Sequence, residues 1–264
     1  MNVRLQTAGI ARLEQLQKCY DEGARDINIS LDSLIEEKQD YINTTPGSWK
    51  AAIEAIARVS QVFHGESAIC SVGCVMSKMN MKELPAILEF CTEIGWHLSL
   101  VPVHITKPSE NMGFRSYDTN FECQEADEDL LETTIEQLIQ MKRAGALLFD
   151  AEAYLRSSIL FLKNGQSSWR NKGRCDSPYL YFAIRPNGDF TSCCDYALHK
   201  PPSLAEPDFH LRYKKGELAS LANPIVKNCS GCHYGSYPEV TLSVRDKQAL
   251  VERIKLTLFR KKEK

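Results

Sequence analysis

Over its first hundred residues the chain repeats one cycle: a short β-rich segment, a polar turn, a stretch with apolar residues at three- and four-residue spacing, then glycine. Segments 3–7 (VRLQT), 26–31 (DINISL), 67–75 (SAICSVGCV) and 97–103 (HLSLVPV) read as strands, with helices over 10–22, 48–64 and 81–94 between them. Gly23, Gly65 and Gly95 follow the helices where a left-handed residue is wanted, and Ser48 stands where an N-cap belongs. Each helix carries the chain back across the sheet, so the strands run parallel with right-handed crossovers, in a barrel or a doubly wound sheet. A complete eight-unit barrel takes about 250 residues. This pattern stops near residue 107, so any barrel is partial.

A loop (106–125), a helix with an acidic start ending at Gly145 and an amphipathic helix over 150–163 follow. From Ser167 the composition shifts to Gly, Pro, Asn and paired Cys, which places a domain boundary there: 1–166 and 167–264.

Ten cysteines need an explanation that depends on compartment. The opening MNVRLQTAGIARLEQ has neither the apolar core nor the cleavage site of a secretory leader, which implies a reducing cytoplasmic setting and argues against a disulfide framework. No apolar run approaches the roughly 20 residues that span a bilayer. A net charge of −2 supplies no field for nucleic acid or anionic lipid, and the basic end RKKEK reads as a solvated helix tail.

The cysteines divide into two sets. Cys70, Cys74 and Cys91 lie on apolar runs, where cysteine packs as a small hydrophobe, and Cys19 and Cys123 are read the same way. Cys175, Cys193 and the Cys229-x-x-Cys232 pair surround a hairpin instead. With Asn187-Gly188 as a two-residue turn, residues 179–185 pair with 190–193, Cys193 lies opposite Phe182, and the chain folds back near Asp176-Ser177-Pro178 to return Cys175. Strand alternation would send Cys193 and Cys194 to opposite faces, leaving one as ligand and the other spare. Four thiolates suit tetrahedral zinc or an iron-sulfur cluster equally. His97 and His104, flanking the last strand, are read as structural rather than acid-base groups, and Trp49, Trp96 and Trp169 as packing residues.

The spacing C-x12-G-x4-C followed by C-x-x-C, with IRPNGDFTSCC around the hairpin, resembles the auxiliary-cluster domain of radical S-adenosylmethionine (SAM) enzymes, called SPASM or, when shortened, twitch. LQTAG resembles that family's Thr-Asn-Gly at the end of its third barrel strand, DINISLDS its fourth-strand Ser-Leu-Asp, and DYINTTPGSW the segment that follows. The resemblance implies an α/β fold: a partial (βα) barrel with parallel strands, followed by a small cysteine-rich α+β SPASM/twitch domain. It also implies that Thr7, Ser30 and Asp32 line a SAM site, although Asp32 reads equally as a cap on the loop after its strand. Cys175, Cys193, Cys229 and Cys232 would hold one auxiliary 4Fe-4S cluster.

The departures from the family are specific. No Cys-x3-Cys-x2-Cys occurs anywhere; Cys70 and Cys74 satisfy the first interval, but position 77 is serine. The glycine-rich SAM segment is absent, Asn43 stands where many members carry Arg, and Ala8 where Asn is usual. The resemblance therefore implies a chain beginning at the family's third strand, the carboxyl-terminal portion of an oxidoreductase acting on a peptide, protein or small molecule. It would be active only if the missing strands and cluster loop were supplied, for instance by a partner chain. The alternatives are an inert or scaffolding fragment and a zinc-ribbon binding module.

Overall fold

The computed structural model describes residues 4–8, 11–64, 68–106, 115–167, 169 and 175–258. Gly9, Gly65 and the basic tail 260–264 lie outside the described residues. Four strands, β1 (Arg4–Thr7), β2 (Asp26–Ser30), β3 (Ile69–Met76) and β4 (His97–Pro102), form one sheet in the order β1-β2-β3-β4, parallel throughout. A bridge between Leu98 and Leu148 continues the sheet beyond β4. Helices α1 (Leu13–Asp21), α2 (Glu36–Ile42), α3 (Ser48–Val62) and α4 (Leu84–Glu93) occupy the crossovers, and α5 (Glu128–Arg143) and α6 (Glu152–Asn164) follow.

One side of the sheet carries the core. Ile27, Ile29, Val72, Leu98 and Leu100 are fully buried beneath the helices with Ala55, Val59, Leu84 and Leu88. The residues between them form the opposite side, which is polar: Asn28 pairs with Ser71, Ser30 with Gly73, and Gly73 with Ser99. Arg4 reaches across this face to donate to Ser71 Oγ at 2.6 Å. Gly73 makes room for Asn28, since a Cβ there would lie 2.7 Å from Asn28 Oδ1.

Gly23 and Gly95 take positive φ after α1 and α4, as their positions predict. Ser48 is not the N-cap of α3; Gly47 is, in the left-handed region. The capping acceptor is the Asp40 carboxylate from α2, which takes the N–H groups of Gly47 (2.6 Å) and Trp49 (2.9 Å) and the Ser48 hydroxyl (2.9 Å). Those three bonds hold the Asp40 carboxyl below the usual carboxylate range, the Trp49 bond most strongly.

Beyond residue 175 the chain forms a two-stranded antiparallel hairpin, β5 (Ala183–Ile184) and β6 (Phe190–Thr191), and helices α7 (Phe209–Lys214), α8 (Glu217–Asn228), α9 (Ser236–Arg245) and α10 (Lys247–Leu258). Phe190, Phe209 and Leu218 make a second, smaller core with Ile184 and Leu198. Helices α9 and α10 leave that core and return to the first unit. Glu239 accepts the Ala151 N–H at 2.8 Å, Lys142 pairs with Glu252, and Leu242 packs on the main core.

Candidate metal centre

The hairpin turn is one residue longer than its sequence suggests. Arg185 N–H donates to Asp189 O and Gly188 N–H to Arg185 O, both at 2.8 Å, so Pro186, Asn187 and Gly188 form a three-residue loop. Only Gly188 takes positive φ (+89°), the pattern of a type I turn closed by a left-handed glycine. The register therefore pairs Ala183 with Thr191, and Cys193 does not lie opposite Phe182. β6 ends at Thr191, so Cys193 and Cys194 sit in bends beyond the strand, where alternation no longer assigns them faces.

Short polar contacts draw the thiol-bearing segments together. After Cys175 the chain turns through a cis Ser177–Pro178 peptide, and Ser177 Oγ donates to Ser192 O, beside Cys193. α8 delivers Cys229 at its carboxyl end; Gly231, at φ +109°, bends the loop so that its own N–H donates to Cys229 Sγ at 3.3 Å. Ser167 Oγ and Trp169 Nε1 both donate to Cys232 O at 2.7 Å.

Charge effects report the same convergence. The Cys232 thiol is pushed well up by burial, with Cys175, Cys229 and Cys193 adding to the rise. Burial raises Cys175 too, and among its further causes Cys229 adds to the rise. Cys193 rises to about 11, mainly through burial. Cys194, also raised first by burial, answers to Tyr237, Asp195 and Arg115 instead. The set around Cys232 thus contains Cys193, while Cys194 faces the neighbouring polar cluster. Cys70, Cys74, Cys91 and Cys123 are buried in the first unit, and burial lifts their thiols; Cys19 is half-buried.

Among the described residues, no three Cys, His, Asp or Glu side chains are gathered as ligands of one metal ion would be. A tetrahedral zinc with bonds of about 2.3 Å needs its sulfurs within about 4 Å of one another. A four-iron cubane binds each thiolate on a separate iron and spreads them wider. Four thiols are the donor chemistry such a cluster takes, and one of them, Cys229, already accepts an amide N–H.

The loop is fastened to the sheet by His104, a histidine with the structural role its sequence position suggests, by Tyr154 and Arg115, which carry no signature in the sequence, and by Tyr234. His104, just after β4, places Nδ1 2.8 Å from Pro102 O; a carbonyl only accepts, so Nδ1 carries the proton and Nε2 accepts the His233 N–H at 2.8 Å. Burial, with Arg115 nearby, lowers His104 to about 3, and the ring stacks on Tyr234 at 3.9 Å. Tyr154 donates its hydroxyl toward the carbonyls of Leu100 and His233, both at 3.2 Å. Arg115, almost buried, pairs with Asp195 at 2.9 Å and donates to Gly231 O at 3.2 Å, while Tyr234 donates to the other Asp195 oxygen at 2.8 Å. One sequence signal was available: a tyrosine follows within a few residues of Cys175 (Tyr181), Cys194 (Tyr196) and Cys232 (Tyr234, Tyr237).

At the strand ends the three residues expected at a SAM site part company. Ser30 pairs with Gly73 on the polar side of the sheet. Thr7 pairs with Ile29 and so shares the helix-covered side. The buried Asp32 carboxylate accepts the Val75 N–H at 2.6 Å, binding the end of β2 to β3, and burial raises it to about 6.

This α/β arrangement is similar in fold to solved structures that carry bound S-adenosylmethionine (AdoMet). The chain superposes on native anSMEcpe with bound AdoMet at a TM-score of 0.57 and 11% identity, covering 98% of this chain and 73% of that one. With anSMEcpe bound to AdoMet and a Cp18Cys peptide the values are 0.56 and 11%, over 98% and 75%. SuiB of Streptococcus suis bound to S-adenosylmethionine gives 0.54 and 14%, over 94% of this chain and 58% of SuiB. No family model and no curated protein matches the sequence. Among the described residues, no helix is long and apolar enough to cross a membrane.

Proposed function

We propose that this chain is a radical SAM/SPASM-type iron-sulfur protein, the carboxyl-terminal portion of a cytoplasmic oxidoreductase that modifies a peptide, protein or small molecule. Cys175, Cys193, Cys229 and Cys232 would hold one auxiliary 4Fe-4S cluster. When bound, such a cluster supplies an iron for substrate ligation or a relay for one electron, at a potential set by burial and by hydrogen bonds to sulfur. The observation that carries the proposal is that Cys175 and Cys193 lie near enough to the Cys229-x-x-Cys232 loop to act on the Cys232 thiol, within a fold similar to that of AdoMet-bound structures.

The chain's own residues prepare the site. Ser177, Ser167, Trp169 and Arg115 hold the thiol-bearing segments in register through backbone carbonyls. The His104–His233 bond anchors the Cys-x-x-Cys loop over the carboxyl end of β4, the end at which parallel α/β folds bind ligands. Ser30 stands at that end on the polar side and is the strongest SAM-contact candidate of the three; Thr7 would contribute from the strand terminus, and Asp32 by shaping the loop. Turnover would require a Cys-x3-Cys-x2-Cys loop, a spacing that does not occur in this sequence.

Iron and sulfide assayed on protein purified without oxygen test the proposal. Roughly four of each per chain, with broad visible absorption, are expected. Cys229→Ala and Cys232→Ala should abolish the colour and Cys91→Ala should leave it intact. Colourless protein carrying zinc would refute the cluster.

A further inference from the structure

Three half-buried cysteines, Cys175, Cys194 and Cys229, have a tyrosine beside them, and one contact stands out. Tyr181 places its hydroxyl 2.8 Å from Cys175 Sγ. The same oxygen accepts the Asp176 N–H at 3.3 Å, which occupies one of its lone pairs and directs the O–H toward the sulfur. The ring is held in place: it stacks on Tyr237 with centroids 4.6 Å apart and planes 18° from parallel, and it meets Trp169 edge-on at 6.5 Å. Tyr237 is fixed in turn by the Cys194 N–H, which donates to its hydroxyl at 3.1 Å. A hydroxyl on a two-torsion side chain, braced on both sides, has little freedom to turn away.

We infer that Tyr181 is a positioning residue that donates a hydrogen bond to the Cys175 sulfur and thereby favours the reduced state of the group those thiols hold. The inference rests on the cluster reading above. A cysteine that ligates iron is a thiolate without a proton of its own, and a phenol is protonated at neutral pH, so the only proton in the contact belongs to Tyr181. Reduction adds one negative charge that the cluster shares with its sulfur ligands. A donor aimed at one of those sulfurs binds the more negative state more tightly and raises the potential.

Tyr181→Phe removes the hydroxyl and keeps the stacked ring. On the reconstituted full chain, titrated with dithionite under argon and followed by visible absorption and electron paramagnetic resonance, the variant should retain its iron. Its one-electron reduction equilibrium should fall several-fold; a tenfold fall corresponds to about 59 mV. Tyr179→Phe, on an exposed neighbouring ring, should not move it. An unmoved potential in Tyr181→Phe, or an equal shift in Tyr179→Phe, overturns the inference. If Tyr181→Phe loses iron, 3-fluorotyrosine at position 181 offers a stronger donor of nearly the same shape and must raise the potential; no rise overturns the inference. Absence of iron from the unsubstituted protein refutes the cluster itself, whereas iron with an unmoved potential refutes only the role of Tyr181.

Discussion

Replacing His104 by glutamine tests how the Cys-x-x-Cys loop is fastened to the sheet. In the folded chain Nε2 must stay unprotonated to accept the His233 N–H, and the ring is 4% exposed. Its pKa falls from 6.5 to about 3, with burial the largest cause and Arg115 the next. Between those values the unfolded chain takes up a proton that the folded chain refuses. The stabilisation is therefore complete above about pH 6.5 and is lost as pH falls toward 3. Integrating the linkage from pH 8 to pH 5 gives a loss of about 2 kcal/mol at His104. The glutamine carbonyl can accept the same N–H without titrating. The pKa shifts of Asp32, Asp150, Glu239 and His233 act in both chains and largely cancel in the difference. Urea unfolding of both proteins at pH 8 and pH 5 measures that difference. The stability of the wild-type chain relative to His104→Gln should drop by about 2 kcal/mol between the two pH values. A change below about 0.5 kcal/mol would show that His104 titrates as it does in the unfolded chain, and the tautomer argument would fail.

Two further substitutions probe the packing around the site. Arg115→Ala leaves the Asp195 carboxylate, 2% exposed, without its cation; a loss of about 3–5 kcal/mol in chemical denaturation is expected, with faster proteolysis near residue 231. Gly73→Ala drives a methyl to 2.7 Å from Asn28 Oδ1, in the middle of the polar side of the sheet. It should cost about 1–3 kcal/mol, and the double variant with Asn28→Ala should recover most of the loss.

What the sequence determined by itself follows from short-range periodicity. Apolar residues spaced three and four apart, closed by Gly23 or Gly95, specify helices because the pattern and its terminator lie within a few residues of each other. Strands alternating with such helices leave parallel pairing as the arrangement that buries both, so four parallel strands were legible, whereas the order β1-β2-β3-β4 was left open between a barrel and a doubly wound sheet. The division of the cysteines into core and hairpin sets was legible on the same grounds. Tertiary structure alone decided the rest. The hairpin register turned on whether the loop holds two residues or three, which Asn187-Gly188 permits either way. Asp40, not Ser48, caps α3 because two helices meet there. His104 meets His233 across 129 residues of chain. Such contacts are set by how whole elements pack, and local sequence carries no record of a partner so far along the chain.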